Sequence, residues 1–339
     1  MRTGDAVPAD TPWRGRAFLE HVLLYVLRRV LVGLGVVVVT AIFAYGGWRF
    51  LRNDLPANSG PWLAGTWADL KRTLWHRDFG EACSFASLQG SGCKVITDLF
   101  ARGWQADLWM LAGAVGLGTA TGMAGGLWSA ANPRALRARL LEVVAMAGLC
   151  APPFVFGYGL LLLFEPTFGT FKAPLFFDVH VYQVPYENPW DFFRAMLVPW
   201  IVAGAPVFAV VLRITRSTAL EASDQEFMLT AIGKGLRPKT VILRHGRPVA
   251  YTPVFGWIGT SSALIVTNVL ITESVFSVPG FLLHTRRALK PPLTPETPDI
   301  PLLQALAVWG AVLVVVLSII SDLLVMAKDP RIRASGRIG

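Results

Sequence analysis

"ASDQEFMLTAIGKGLRPKTVILRHGRP", residues 222–248, breaks into a very apolar chain with three acids or amides and five lysines or arginines. Long hydrophobic runs flank it on both sides. Of the 339 residues, 53% are hydrophobic and 16% charged. A typical soluble domain has about 25% charged residues and needs polar side chains to cover its surface. Together with a mean hydropathy of +0.50, this places the chain in the membrane class. A charged stretch between two apolar runs then reads as a loop at the bilayer surface.

A helix crosses a bilayer in about 20 apolar residues, and six runs answer to that length: about 24–47, 106–130, 141–164, 195–212, 250–272 and 302–326. The first reads as a retained span. The "WRFLRNDLP" behind it offers no small-residue cleavage site of the kind that ends a secretory leader. The expected fold class is an all-α integral membrane bundle of six transmembrane helices.

Orientation follows from the cations, which accumulate on the cytoplasmic side. With the N-terminus inside, segments 1–30, 131–142, 213–250 and 327–339 are cytoplasmic, and they hold 19 of the 31 lysines and arginines. The expected organisation is a cytoplasmic segment 1–23, a six-span region 24–326 and a cytoplasmic tail 327–339. Outer loops fall at about 48–105 and 273–301, and the charged cytoplasmic loop at about 213–249. Both termini are then cytoplasmic. The net charge of +9 is spread between apolar runs, so it points to membrane topology and away from a nucleic-acid partner.

Gly118, Gly122 and Gly126 recur every four residues on one face of the second span. Small residues at that spacing let two helix backbones approach closely. Cys150 lies in an apolar run. Cys83 and Cys93 lie close together in a polar stretch; outside the cytoplasm they are either a disulfide or two free thiols. No metal-site spacing is present.

Ionisable groups are nearly absent from the span interiors; Asp107, Glu273 and Asp322 lie at or near span ends. Ion-driven carriers keep such groups where they work, because a charge at the bilayer centre costs about 2.5–3.5 kcal/mol on insertion scales. Transport by this chain therefore draws on an outside energy source. No HExxH, GxSxG or nucleotide-binding GxxxxGK[ST] is found, and the "IGKG" at 232–235 lacks the first loop glycine of the last. No catalytic residue is proposed.

Within the loop, residues 217–234 favour a helix with an apolar stripe of Leu220, Phe227, Met228, Ala231 and Ile232. Gly235 breaks it, Pro238 suits the first turn of a second helix, and Pro248 separates that helix from the fifth span. Helix–turn–helix is more than a minimal link between spans requires, and it suits docking into a groove on a soluble partner. A solvated basic loop that only sets topology is the alternative.

The residues at fixed spacing carry a resemblance. Glu221, Ala222, Glu226, Phe227, Thr230, Ala231, Lys234, Gly235, Leu236, Val241, Arg244 and His245 are in register with a pattern E-A-x-x-x-[DE]-[FY]-x-x-T-A-x-x-K-G-L-x-x-x-x-[VI]-x-x-[RK]-H. This stretch resembles the cytoplasmic "EAA" loop of ABC importer permeases of the dipeptide/oligopeptide/nickel type. Similar too are "YVLRRVL" (25–31), "DFG" (78–80), "APPFVFGYGLLLLF" (151–164), "ITESVFSVPGF" (271–281) and "SDLLVMAKDPRIR" (321–333). Departures are "RNDLPANSG" (52–60) where the family often has P-G-D-P, Val325 in place of a common Tyr, and the Pro-rich stretch 291–301.

The resemblance implies a permease subunit that forms half of a translocation pathway for a peptide or other small solute. It implies two ABC ATPase subunits, a second homologous permease subunit and an extracytoplasmic solute-binding protein as partners, in the inner membrane. ATP and Mg would be bound by the ATPase, with no cofactor in this chain. Glu221, Ala222, Phe227, Thr230, Ala231, Lys234, Gly235, Leu236 and Arg237 are the expected coupling residues. Phe154, Asn268, Thr272, Glu273, Pro279 and Gly280 are candidates for the substrate pathway or outer gate. An ATPase-independent channel or exporter, or a membrane scaffold or enzyme, are the alternatives.

Overall fold

The computed structural model describes residues 13–51, 62–76, 78–83, 93–164, 182, 184–290 and 298–328. Fourteen segments matter in chain order. They are α1 (Trp13–Leu51), α2 (Trp62–His76), β1 (Glu81–Ala82), β2 (Lys94–Val95), α3 (Ile96–Ala131), α4 (Leu136–Cys150), α5 (Pro153–Phe164), α6 (Pro189–Ser223), α7 (Glu226–Gly233), α8 (Pro238–Val241), α9 (Arg247–Thr260), α10 (Ser262–Phe276), α11 (Thr285–Leu289) and α12 (Ile300–Lys328). The architecture is helical, with one antiparallel pair in which Glu81 faces Val95 and Ala82 faces Lys94.

Helices α1, α3, α6 and α12 are long and apolar enough to cross a membrane; the count is six when each of two bent pairs is taken as one span. The expected third span, 141–164, is not one rod. α4 and α5 meet at 105°, and Ala151 is extended at φ −77°, ψ 119°. Pro152 follows it, and a residue before proline is pushed out of the helical region. The expected fifth span, 250–272, is likewise bent, by 65° at Ser261 between α9 and α10. The expected helix 217–234 is split as well. α6 ends at Ser223, whose hydroxyl turns back to the Leu220 carbonyl (2.6 Å), and Gln225 is extended ahead of α7. Short polar side chains of this kind compete for the backbone and favour helix ends.

Proline has the opposite outcome at 248. The helix does not stop there: a π turn at Ile242–Gly246 carries α8 straight into α9. A widened turn absorbs the missing N–H and the ring's clash with the carbonyl four residues back.

Helices α3 and α6 pack backbone against backbone. A Cβ at Gly118 would lie 2.8 Å from the Gly204 carbonyl oxygen, one at Gly122 2.8 Å from that of Phe208, and one at Gly126 2.6 Å from that of Leu212. The arrangement is reciprocal, since Gly204 approaches the Ala114 carbonyl in the same way. At the lower end of this interface the Glu142 carboxylate on α4 accepts from the Ser129 hydroxyl (2.7 Å) and pairs with Arg216 on α6 (3.0 Å).

The ends of the bundle are sorted. At one end, Arg29 on α1 pairs with Asp322 on α12 (2.9 Å), and Lys328 and Arg247 both lie over the Tyr251 ring. The exposed turn between α7 and α8 belongs to this end, because it joins the last residues of α6 to the first of α9. At the opposite end lie α2, the β1–β2 pair, α11 and the start of α12, where the Asp299 N–H donates to the Ala288 carbonyl (2.8 Å). The sequence reading assigned no element to 48–105. Yet Thr66, Leu70 and Thr73 of α2 are buried at helical spacing, and the Thr73 hydroxyl donates to the Tyr45 hydroxyl (3.0 Å).

Cys83 and Cys93 are disulfide-bonded, ten residues apart, and Cys150 is an exposed free thiol. Closing a loop of that length is worth about 3 kcal/mol in the chain-entropy account. The double variant Cys83→Ser/Cys93→Ser is expected to melt several degrees lower. An unchanged melting temperature would show that packing alone holds the hairpin.

Candidate functional site

The α6–α9 connection is built from a short helix on a small hydrophobic anchor. Gln225 starts α7, and the Thr230 hydroxyl closes back on the Glu226 carbonyl (2.8 Å). Met228 is fully buried and clusters with Ala222 and Val241, with Ala231 and Val249 beside them. The other apolar residues of the expected stripe do not join this cluster. Leu220 packs one layer away with Leu127, Ala130 and Ala219, while Phe227 and Ile232 are exposed. Leu220 leaves the stripe because the chain breaks at Ser223–Gln225 and the two sides no longer share one helical phase, whereas on α7 itself only Met228 and Ala231 face the anchor and Phe227 and Ile232 flank it on the exposed side.

Gly235 ends α7 in the left-handed region at φ +89°. Its N–H donates to the Ile232 carbonyl (2.9 Å), and the Leu236 N–H donates to that of Ala231 (3.3 Å). These are the two bonds of a Schellman cap, whose left-handed residue is usually glycine because it has no Cβ. Nothing lies within 4 Å of where a Gly235 Cβ would be. Backbone conformation alone therefore calls for glycine here. Arg237 is extended and Pro238 opens α8.

Of the expected coupling residues, Thr230, Lys234, Gly235, Leu236 and Arg237 share the exposed turn, with Phe227 on the same short helix. Ala231 is half-buried against the anchor, Ala222 is buried beneath it, and Glu221 is exposed on the last turn of α6. Leu229 and Leu243 were missed, although both are exposed leucines of this loop, at 56% and 45%. The outcome is an apolar edge of Phe227, Leu229, Ile232 and Leu236 among the cations Lys234, Arg237 and Lys239.

The candidates at the other end divide. Thr272 and Glu273 are fully buried on α10, and Gly280 is pressed against Glu273. The Thr272 hydroxyl donates to the carbonyl of the half-buried Asn268 (2.7 Å). Pro279 is exposed, and Phe154 is half-exposed at the start of α5. Asp107 and Trp309 were missed as members of this group. The Asp107 carboxylate accepts from the Trp309 indole N–H (2.5 Å) and the Leu282 N–H (3.3 Å). Asp107 is three turns inside α3, ahead of its apolar run, and fully buried.

A cavity of about 560 Å3 opens where α3 and α6 meet the elbow of α4 and α5, lined by Thr121, Val144, Phe156, Trp200 and Phe208 among others. None of the six pathway candidates lines it. Among the described residues, no group of three or more His, Cys, Asp or Glu could hold a metal ion.

The sequence profile described as "Binding-protein-dependent transport system inner membrane component" matches residues 122–334. The chain belongs to this family. The matched residues begin inside α3 and run past α12, so they hold the loop around Gly235 and the 271–281 segment, but leave out Asp107. This transport-component family includes relatives of known name. The chain is 30% identical over 195 residues to the "Probable peptide ABC transporter permease protein y4tP" of Sinorhizobium fredii, covering 58% of each chain. It is 27% identical over 217 residues to the "Dipeptide transport system permease protein DppB" of Lactococcus lactis, covering 64% of this chain and 65% of that one. It is 23% identical over 327 residues to the "Glutathione transport system permease protein GsiC" of Shigella flexneri, covering 92% and 99%. The chain thus spans less than two thirds of the first two relatives and nearly all of the third.

Proposed function

We propose that this membrane component is one permease subunit of an ATP-driven importer and forms half of the path for a peptide-class solute. The exposed elbow around Gly235 is the observation that carries this reading. A loop that only set topology would not need a capped helix anchored by Met228 with its remaining apolar side chains turned outward. Exposed apolar residues framed by cations suit a partner groove with an apolar floor and an acidic rim. In this reading the partners are two cytoplasmic ATPase subunits, a second homologous permease and an external binding protein. The start of α1 and the end of α12 lie at the same end of the bundle as the elbow, and in this reading that end and both termini are cytoplasmic. The names of the relatives, which speak of peptides, dipeptides and glutathione, support a peptide-class cargo.

Mechanically, nucleotide-driven closure of the ATPases moves the groove that grips α7. Because α7 is linked at both ends to α6 and α9, the motion enters the bundle there and shifts its population between two states. Glu273, Pro279 and Gly280 form part of the outer gate.

Leu229→Cys tests the contact directly. In the assembled complex an oxidant or short crosslinker is expected to join it to a cysteine introduced in the groove of the ATPase. A chain that purifies without any ATPase, and gives no such crosslink in its native membrane, would overturn the reading.

A further inference from the structure

Two acids that the chain places 166 positions apart, Asp107 and Glu273, meet in the crevice between α3, α10 and α12. Both are fully buried. A Cβ on Gly280 would overlap an oxygen of each, so the two carboxyl groups face one another across that glycine. Asp107 uses its oxygens on the Trp309 indole and the Leu282 N–H. Among the described residues no side-chain N–H or hydroxyl donates to either Glu273 oxygen, and the backbone N–H of Leu283 is the one group that favours its charged form.

No lysine, arginine or histidine acts on either carboxyl group among the described residues. The titratable group that faces the pair is Tyr182, ahead of α6; burial first, and then Glu273, pushes its phenol up to about 12. His284 sits on the same loop, where burial, with Arg287 and Lys94 nearby, pushes its imidazole down to about 4. Tyr182 and His284 are therefore both neutral at pH 7 and supply no counter-charge.

Two buried carboxylates without a cation cannot both stay ionised. Keeping two unpaired charges side by side out of water is far more costly than sharing one proton between them. We propose that Asp107 and Glu273 bind one proton between them, and that this acid pair latches the loop Ser277–His284 into the bundle. The proton lies between the carboxyl groups, as the side-chain donor that Glu273 otherwise lacks. Asp107 positions the loop through the Leu282 N–H. The loop is deeply seated: Phe281 is buried, edge-on to Phe100 at 5.5 Å, and its backbone rests on Gly103 of α3. The latch joins the segment that carries Pro279 and Gly280 to a residue outside the family match, and it stands whether or not the importer reading holds.

At pH 7 the unfolded chain has both acids ionised, because their ordinary values lie near 4. The folded chain holds one more proton, so folding weakens as pH rises, by at most tenfold in the equilibrium per pH unit, until the pair lets the proton go.

The experiment uses the purified full chain in lipid nanodiscs, without partners or solute. Infrared spectra of the wild type at pH 7 are expected to contain a protonated-carboxyl C=O band that is lost in both Glu273→Gln and Asp107→Asn. Melting temperature should fall between pH 6 and pH 9 in the wild type. In Glu273→Gln, whose amide replaces the shared proton as donor, it should not fall; it should rise slightly up to about pH 7, where the unfolded chain stops protonating His284, and then stay level, while Glu273→Ala melts lower at every pH. A wild type with no protonated-carboxyl band, or a band that survives in both variants, overturns the proposal. So does a wild-type melting temperature that is insensitive to pH. The wild-type spectrum decides even if a variant fails to fold.

Discussion

Gly235→Trp should reduce solute-stimulated ATP hydrolysis by the assembled complex at least tenfold, while the chain still inserts and folds. The reason lies in two properties of one residue. Its φ of +89° is a conformation that costs a non-glycine residue about 1–2 kcal/mol, which is local strain on an exposed turn. Its missing side chain faces open space, so tryptophan meets nothing within this chain and projects an indole from the surface proposed to dock the ATPase. The anchor of Ala222, Met228 and Val241 lies on the other side of α7 and keeps its packing. Stability and coupling therefore separate in this variant. Gly235→Ala, with the same backbone strain and a single methyl, calibrates the strain alone and should retain most of the activity. Stimulated hydrolysis at the wild-type rate in the tryptophan variant would count heavily against docking at this turn.

Gly122→Leu should have the reverse signature: no assembled complex and a chain that is cleared from the membrane. At this position the backbone of α6 is the neighbour, with the Phe208 carbonyl oxygen 2.8 Å and Val211 3.0 Å from an added Cβ. A carbonyl in the middle of a helix cannot swing aside as a flexible side chain can, so α3 and α6 must move apart. Gly118 and Gly126 would lose their close approach in the same step. Overpacking of one or a few methylenes costs about 1–3 kcal/mol in soluble cores, and leucine adds more volume at a backbone contact. Gly116 is the control, because nothing lies within 4 Å of its Cβ position. Gly116→Leu should accumulate normally, and equal loss in both variants would show that general helix chemistry matters here and the α3–α6 contact does not.

Much of this molecule was readable without coordinates, and the readable parts share a property: each depends on residues close together in the chain. Length and apolarity identify the spanning runs, because the bilayer imposes one thickness on all of them. The break at Gly235 follows from a glycine after a helical stretch and a proline three residues on. The cap that results uses only bonds within Ala231–Leu236. Gly118, Gly122 and Gly126 announced a close helix contact by their spacing alone.

What the chain order concealed depends on which helices meet. The glycine face did not name α6 as its partner. Nothing near Asp107 in the sequence points to Glu273, Trp309 or the Leu282 amide, and its place at the start of an apolar run gave no sign that it is fully buried. In a soluble helix a polar face would have shown which side turns inward. Here lipid-facing and partner-facing sides are both apolar, so periodicity carries no such label. The bends at Ala151 and Ser261 were hidden for a related reason: hydropathy averages over a run and does not register its direction. Composition and local spacing were enough to make this a multi-span component with a capped elbow. Only the packed bundle, by bringing distant backbones and two distant carboxyl groups together, decided which glycines meet another helix's backbone and where a buried acid pair lies.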